Sequence, residues 1–186
     1  MVYSEKTGGF NLGQTGKAKR RKYAYRKIRD YGQDILEAEG FRNSQHSIQH
    51  GNVSVREHSI AVASCALAIS QALPFRFHER ELVRGALLHD YFLYDWHDKK
   101  VRPEHLLEFY KLHGFAHPKI ALDNARKEFK LTKREEDIIV KHMWPLTVAP
   151  PSCREAWVVT MADKYCSLLE TLRIRRGEYV TDGRAV

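Results

Sequence analysis

The stretch Gly85-Ala86-Leu87-Leu88-His89-Asp90 ends an apolar run with an imidazole and a carboxylate. Leu82, Val83, Ala86 and Leu87 recur at helical spacing, so the run reads as the last turns of a buried helix. His89 and Asp90 continue its inward face, where a carboxylate without a partner is costly. A divalent cation would neutralise it, and both groups are good ligands. A second pair, His97-Asp98, lies in a polar stretch before Lys99-Lys100 and Pro103 and has no apolar helix behind it. The chain has ten histidines, so a His-Asp pair alone is weak evidence, and the first pair stands out through what can converge on it.

Three further elements carry such groups on apolar faces. Ser54-Val55-Arg56-Glu57 is a capping box that opens a helix to about Ala72, with Pro74 beyond it. Val55, His58, Val62, Cys65, Ile69 and Ala72 form its inner stripe, so His58 occupies a core position. Thr132-Lys133-Arg134-Glu135 is a second capping box, and its helix carries Ile138, Ile139 and His142 on one side before Trp144-Pro145. Ser152-Cys153-Arg154-Glu155 reads as a third box, opening a helix towards Arg176 with Gly177 as its stop. Along that helix Ala156, Val159, Asp163 and Cys166 share a face, and an acid there needs a cationic partner. A single histidine on an apolar stripe is usually a satisfied core residue. A histidine, a His-Asp pair and a late aspartate, each on the apolar side of its own helix, point to a metal site that forms only on folding.

The remaining elements are read from their breakers. Residues 1–16 hold Gly8, Gly9, Gly13 and Gly16 with few apolar groups and are expected to be mobile. A helix is predicted from about Arg20 to Glu39, weakened by Gly32 and closed by Gly40. Phe41 to Asn52 reads as a loop holding His46 and His50. Tyr91-Phe92-Leu93-Tyr94-Asp95-Trp96-His97 could wall a pocket or simply pack a loop. A short helix from Glu104 to about Leu112 is broken at Gly114, and Pro118 begins another that runs to about Phe129, with His117 at its entrance. No segment alternates as a strand does, and no repeat is present. The predicted fold class is all-α, with about six or seven helices. The predicted organisation is a basic, partly mobile arm and helix over 1–40, one domain over 41–176 and a tail over 177–186.

The chain has 186 residues, 43% hydrophobic and 29% charged, as in an ordinary globular protein. The longest apolar run, Ile60 to Ile69, is too short to span a bilayer. Met1-Val2-Tyr3-Ser4-Glu5 lacks the pattern of a secretory signal, and Cys65, Cys153 and Cys166 read as free thiols. The expected compartment is cytoplasmic. Of the 31 basic residues, eight lie between Lys17 and Arg29 with no acid among them, and the rest equal the 23 acids in number. The net charge of +8 therefore belongs to residues 17–29, which could meet nucleic acid, an anionic surface or a polyphosphate, or be a solvated helix face.

The order His58…His89-Asp90…Asp163, with the phrases HGNVSVREHSIAVA, GALLHDYFLYDW, HGFAHPKIALDNA, IIVKHMWPLT and MADKYCSLLE, resembles the HD superfamily of metal-dependent phosphohydrolases. The likeness is to small stand-alone bacterial members and spans about His50 to Leu172. It implies an HD-domain helical bundle in which His58, His89, Asp90 and Asp163 ligate one metal. In the subset with extra histidines a second ion is held. His117 and His142 match those positions in order, with Asp90 as the bridge. The chain lacks a Gly-Tyr-Pro motif and a lysine shortly after His89-Asp90, which sets it apart from the cyclic-di-GMP phosphodiesterase branch. The six-ligand pattern also resembles the HD-type diadenosine tetraphosphate hydrolases and the mixed-valent di-iron oxygenases.

The implied reaction is hydrolysis of a nucleotide or related phosphoester, assisted by one or two divalent transition-metal ions. Iron, manganese, zinc and nickel all suit such ligands, and two ions are favoured. Asp90 and, as a proton donor, His50 are the candidate catalytic residues. Lys164, Lys119, Arg102 and Lys141 are candidates to steady the substrate phosphate, although each also reads as a surface residue. The alternatives are a di-iron oxygenase built on the same ligands, and a metal-stabilised nucleic-acid-binding module without catalysis.

Overall fold

In the computed structural model, the residues described are 12–50, 52–91, 106–172 and 174, without the side chains of 12–15, 17, 50 and 106–116. The expectations about residues 1–11, His97-Asp98, Arg102, the aromatic stretch after Tyr91 and the tail past 174 fall outside them. Among the described residues seven α-helices follow in order: α1 (Leu12–Glu37), α2 (Glu39–Asn43), α3 (Val55–Ala72), α4 (Glu79–Leu88), α5 (Leu106–Glu128), α6 (Lys133–Lys141) and α7 (Arg154–Thr171). A 3-10 turn over Ser44–His46 and a two-stranded hairpin, β1 (Ile48–His50) and β2 (Val53–Ser54), stand between α2 and α3. The all-α class is that expected from the sequence.

Two capping boxes form as their sequences require. Ser54 Oγ accepts from Glu57 N at 3.2 Å and Glu57 Oε2 accepts from Ser54 N at 3.0 Å, which starts α3. Thr132 Oγ1 accepts from Glu135 N at 3.3 Å and Glu135 Oε2 accepts from Thr132 N at 2.6 Å, which starts α6. The third does not form. Ser152 N instead donates to Asp137 Oδ2 at 2.8 Å, and Cys153 becomes the residue that precedes α7. Glu155 turns inward, accepting from His78 N at 2.9 Å and pairing with Arg134 at 3.0 Å. Tertiary partners outbid the local cap.

Other expectations are corrected as well. The two short helices predicted on either side of Gly114 are one helix, α5, with Pro118 inside it. His117 is therefore an interior helical residue. A proline removes one backbone donor and crowds the carbonyl four residues earlier, which here belongs to Gly114. Gly40, the predicted stop, lies inside α2, and the predicted loop over 41–52 takes in the end of α2, the 3-10 turn and β1, which pairs antiparallel with β2 through Ile48↔Ser54 and His50↔Val53. α7 ends at Thr171, short of Arg176.

α4 is the central element, packed by α1, α3, α6 and α7. Leu82, Val83, Ala86, Leu87 and Leu88 are all fully buried. The second half of α1 joins the same core through Ala24, Ile28, Ile35 and Leu36. Two glycines let helices approach α4 closely. A Cβ on Gly32 would fall 2.4 Å from Leu87 Cδ1, and one on Gly85 would meet Ile138 Cδ1 at 2.5 Å and its Cβ at 2.9 Å. The Gly32 that weakens a helix locally is thus the residue that seats α1 on α4. Polar ties reinforce the packing: buried Arg84 donates to Glu135 Oε1 at 2.9 Å, Asp34 Oδ1 at 2.6 Å and the Tyr31 carbonyl at 3.2 Å, joining α4 to α6 and α1. Lys27 and Tyr23 both reach Glu79, so one of the clustered N-terminal bases is spent inside the fold.

The Gly85 contact yields a prediction. Alanine favours a helix over glycine by about 1 kcal/mol, yet here its methyl meets the branched root of Ile138 as well as its tip, so a turn of the tip alone does not relieve the clash. Overpacking of this kind costs about 1–3 kcal/mol. Gly85→Ala should lower the thermal midpoint of the protein, and Ile138→Ala should relieve the loss when added. A variant that melts above wild type would show that α4 and α6 are not tightly seated.

Candidate metal centre

Each ligand-type residue is placed by a different local device. His89 is the C-cap of α4 and His142 the C-cap of α6. In both, ring Nδ1–H donates to the carbonyl three residues back, Ala86 O and Ile139 O, at 2.8 Å. These carbonyls lie in the last helical turn, where carbonyls lack intrahelical partners, and they leave each Nε2 pointing inward. His58 sits in the first turn of α3, and its Nδ1–H donates to Glu170 Oε2 at 2.8 Å. His117 comes from the interior of α5 and Asp163 from the middle of α7. Ser167 Oγ, one turn on, donates to Asp163 Oδ1 at 3.2 Å.

All six are buried: His58 and His89 at 0% exposure, His142 at 1%, Asp90 at 2%, His117 at 6% and Asp163 at 7%. Asp163 Oδ1 lies 3.1 Å from His58 Nε2 and 3.7 Å from His89 Nε2. The two oxygens of Asp90 face different imidazoles. Oδ2 lies 3.2 Å from His89 Nε2 and 3.9 Å from His58 Nε2. Oδ1 lies 3.3 Å from His142 Nε2 and 3.4 Å from His117 Nε2, and those two nitrogens are 3.1 Å apart. Three overlapping triplets, His58–His89–Asp90, His89–His142–Asp163 and Asp90–His117–His142, keep their donor atoms within 4.8 Å of one another.

The electrostatics follow from burial and crowding. Burial opposes a charge on His58, but hydrogen bonds with Asp163 and Glu170 outweigh it and push its pKa up to about 9. His89 is likewise raised, against the effect of burial, by Asp90 and Asp163. Burial would raise both carboxylates, yet the imidazoles hold Asp90 and Asp163 well below the ordinary range. For His142 burial prevails and its pKa falls, so it stays neutral at pH 7. Without a metal, protons on His58 and His89 supply the positive charge that the carboxylates need.

The residues present suit a divalent cation. His89 Nε2 and Asp90 Oδ1 are buried and make no well-directed hydrogen bond, although complementary atoms lie 3.2 Å and 3.3 Å from them. Converging imidazole nitrogens and carboxylate oxygens without well-formed hydrogen bonds are what an imidazole-carboxylate metal site presents before its ion is added.

The other residues singled out from the sequence lie around the centre or away from it. Lys164 follows Asp163 and its Nζ donates to the His142 carbonyl at 3.3 Å, at the rim of the site. Lys119 is exposed two residues after His117. Lys141 is engaged by Asp137 at 2.6 Å and by Ser152, which ties it to the α6–α7 connection. His50 ends β1, while its side chain and the whole of Arg102 are outside the described residues. Two contributors were not singled out from the sequence. Gln49 Nε2 donates to Asp90 Oδ2 at 2.6 Å from β1, and Glu170 holds His58. Nothing in the local pattern of Gln49 points inward. Glu170 continues the stripe of Ala156, Val159, Asp163 and Cys166, and that spacing is the signal that could have raised it.

The pKa shifts predict linkage between protons and metal. A folded-state pKa of about 9 for His58, above its ordinary 6.5, stabilises the metal-free fold fully below pH 6.5. That contribution is lost as pH rises through about 9. The depressed Asp90 and Asp163 contribute stability above their ordinary value of 3.8 and lose it as pH falls through their folded values. A divalent ion competes for the same imidazoles, so its binding at pH 7 should release protons, and its affinity should climb until pH reaches about 9. Calorimetric titration with zinc in buffers of different ionisation enthalpy measures the release. Uptake without proton release would mean that the imidazoles are already neutral.

No helix among the described residues is long and apolar enough to cross a membrane. No curated protein and no solved structure matches the chain. The family model for the HD domain matches residues 55–168, a span that holds His58, His89, Asp90, His117, His142 and Asp163. With the helical fold and the buried His/Asp cluster in agreement, the chain belongs to the HD-domain family of metal-dependent hydrolases.

Proposed function

We propose that this protein is a phosphohydrolase that acts on a nucleotide or related phosphoester, with His58, His89, Asp90, His117, His142 and Asp163 holding two divalent ions. The observation that carries this reading is the division of Asp90. One oxygen faces His58 and His89, the other His117 and His142, as a carboxylate shared between two ions would. Bound there, the ions supply Lewis acidity toward water and toward a phosphoryl oxygen.

The chain's own groups complete the arrangement. Gln49 donates to Asp90 Oδ2 and limits the rotation of the carboxylate, so each oxygen keeps its own pair of imidazoles. The carbonyl-bound Nδ1–H groups of His89 and His142 prevent those rings from turning. Lys164 is the best-supported anchor for a substrate phosphate, because its amine stands beside His142 at the rim of the cluster. His50, the last residue of β1, is the proposed proton donor to the leaving group.

The test has two parts. Protein loaded with manganese or nickel should release phosphate or nucleoside phosphate from at least one member of a panel of mono-, di- and cyclic nucleotides, and Asp90→Ala should abolish it with the helical content retained. Turnover that consumes dioxygen without releasing phosphate would replace this reading with the oxygenase. His117→Ala should reduce the metal content from about two ions per chain to about one and slow hydrolysis by about 10–100-fold. Equal metal content in wild type and variant would confine the site to a single ion.

A further inference from the structure

We propose that Glu170 is a positioning residue of the metal centre: its carboxylate holds the Nδ1 proton of His58 and so presents Nε2 as the ring's ligand atom. The proposal rests on the reading that the cluster binds metal, but not on which reaction follows. Glu170 lies outside residues 55–168, the segment that the HD-domain model matches.

The need for such a group comes from where His58 sits. His89 and His142 are helix C-caps, and each uses a carbonyl of the preceding turn to fix its Nδ1 proton. His58 is the fourth residue of α3, beside carbonyls that the helix itself uses. A ring in the body of a helix must find its partner on another element. Glu170, two turns after Asp163 on α7, supplies it at 2.8 Å.

The placement of Glu170 is otherwise unfavourable. It is 3% exposed, and it lies in the last turn of α7, where the helix dipole disfavours a negative charge. A buried carboxylate in that position is tolerated only with a strong partner. The two carboxylates of α7 therefore divide the two ring nitrogens of His58 between them, Asp163 facing Nε2 and Glu170 facing Nδ1. A carboxylate behind an imidazole ligand fixes its tautomer and orientation and makes the far nitrogen a better donor to a metal, and removing such a partner typically lowers metal affinity by about 10–100-fold. The effect should be felt at the ion held by His58 and not at His117.

The experiment uses the full chain with Glu170→Leu and Glu170→Gln. Zinc affinity is measured by competition with a chelator, and the state of the His58 ring by nitrogen-15 NMR of the zinc-loaded protein. Wild type should show a strongly hydrogen-bonded Nδ1–H on His58. Glu170→Leu should lose that signal and bind the zinc held by His58 about 10–100-fold more weakly. Should the leucine variant fail to fold, Glu170→Gln decides, since it keeps the shape and one neutral acceptor. It should fold, retain the Nδ1–H at higher field and bind zinc several-fold more weakly. A folded variant with unchanged zinc affinity and an unchanged His58 spectrum would overturn the proposal and leave Glu170 an ordinary core residue. Wild-type protein that binds no zinc would overturn the metal reading itself.

Discussion

Two carboxylates, Asp90 and Asp163, are buried in a helical core built mainly from Leu, Ile, Val and Ala, and everything else in the structure answers to them. Neither can stay ionised there alone. Four imidazoles from α3, α4, α5 and α6 surround them, and two of these take up protons while no metal is bound. Protons on His58 and His89 thus offset the carboxylate charge at a centre whose donor atoms also suit a cation. This interchange of protons and metal over one set of donor atoms explains how a cluster so costly in isolation persists inside a fold of 186 residues.

Holding the donor atoms a few ångströms apart demands that five helices, α3 to α7, be seated closely. The close approaches at Gly32 and Gly85 bring α1 and α6 against α4 with no methyl between them. Arg84 then ties the same three helices through Asp34, Tyr31 and Glu135. Glu135 does two jobs, since its second oxygen caps α6, the helix whose far end carries His142. A shift of α6 would move the cap, the ion pair and the ligand together. Much of the basic N-terminal helix, which lies outside the matched HD segment, is thus part of the scaffold, while Lys19, Arg20, Arg21, Lys22, Arg26 and Arg29 stay exposed on its outer side.

The way each imidazole is oriented follows from its position on its helix. At the two C-caps the backbone supplies the acceptor, so the orientation comes with the helix end itself. Within α3 it has to come from a side chain of another element. Asp90 shows the same pattern: it lies in the turn after α4, and Gln49 from the hairpin steadies it. The elements that flank the matched segment, β1 on one side and the last turn of α7 on the other, therefore reach the centre through Gln49 and Glu170, which hold Asp90 and His58.

What the sequence alone determined was whatever depends on near neighbours in the chain. Helical periodicity set His58, His89, Asp90 and Asp163 facing inward, because an apolar stripe can have only one buried side. The boxes at Ser54 and Thr132 were legible because each closes on itself within four residues. Tertiary structure decided the rest. The box at Ser152 gave way to Asp137, His78 and Arg134, which no local rule can see. α5 runs through Gly114 and Pro118, two residues that read locally as a stop and a start. Gln49 and Glu170 take their roles from partners that lie 41 and 112 residues away. Residue type and spacing can nominate ligands, but only the packed helices bring those distant groups together and decide which atom of each ring faces the centre.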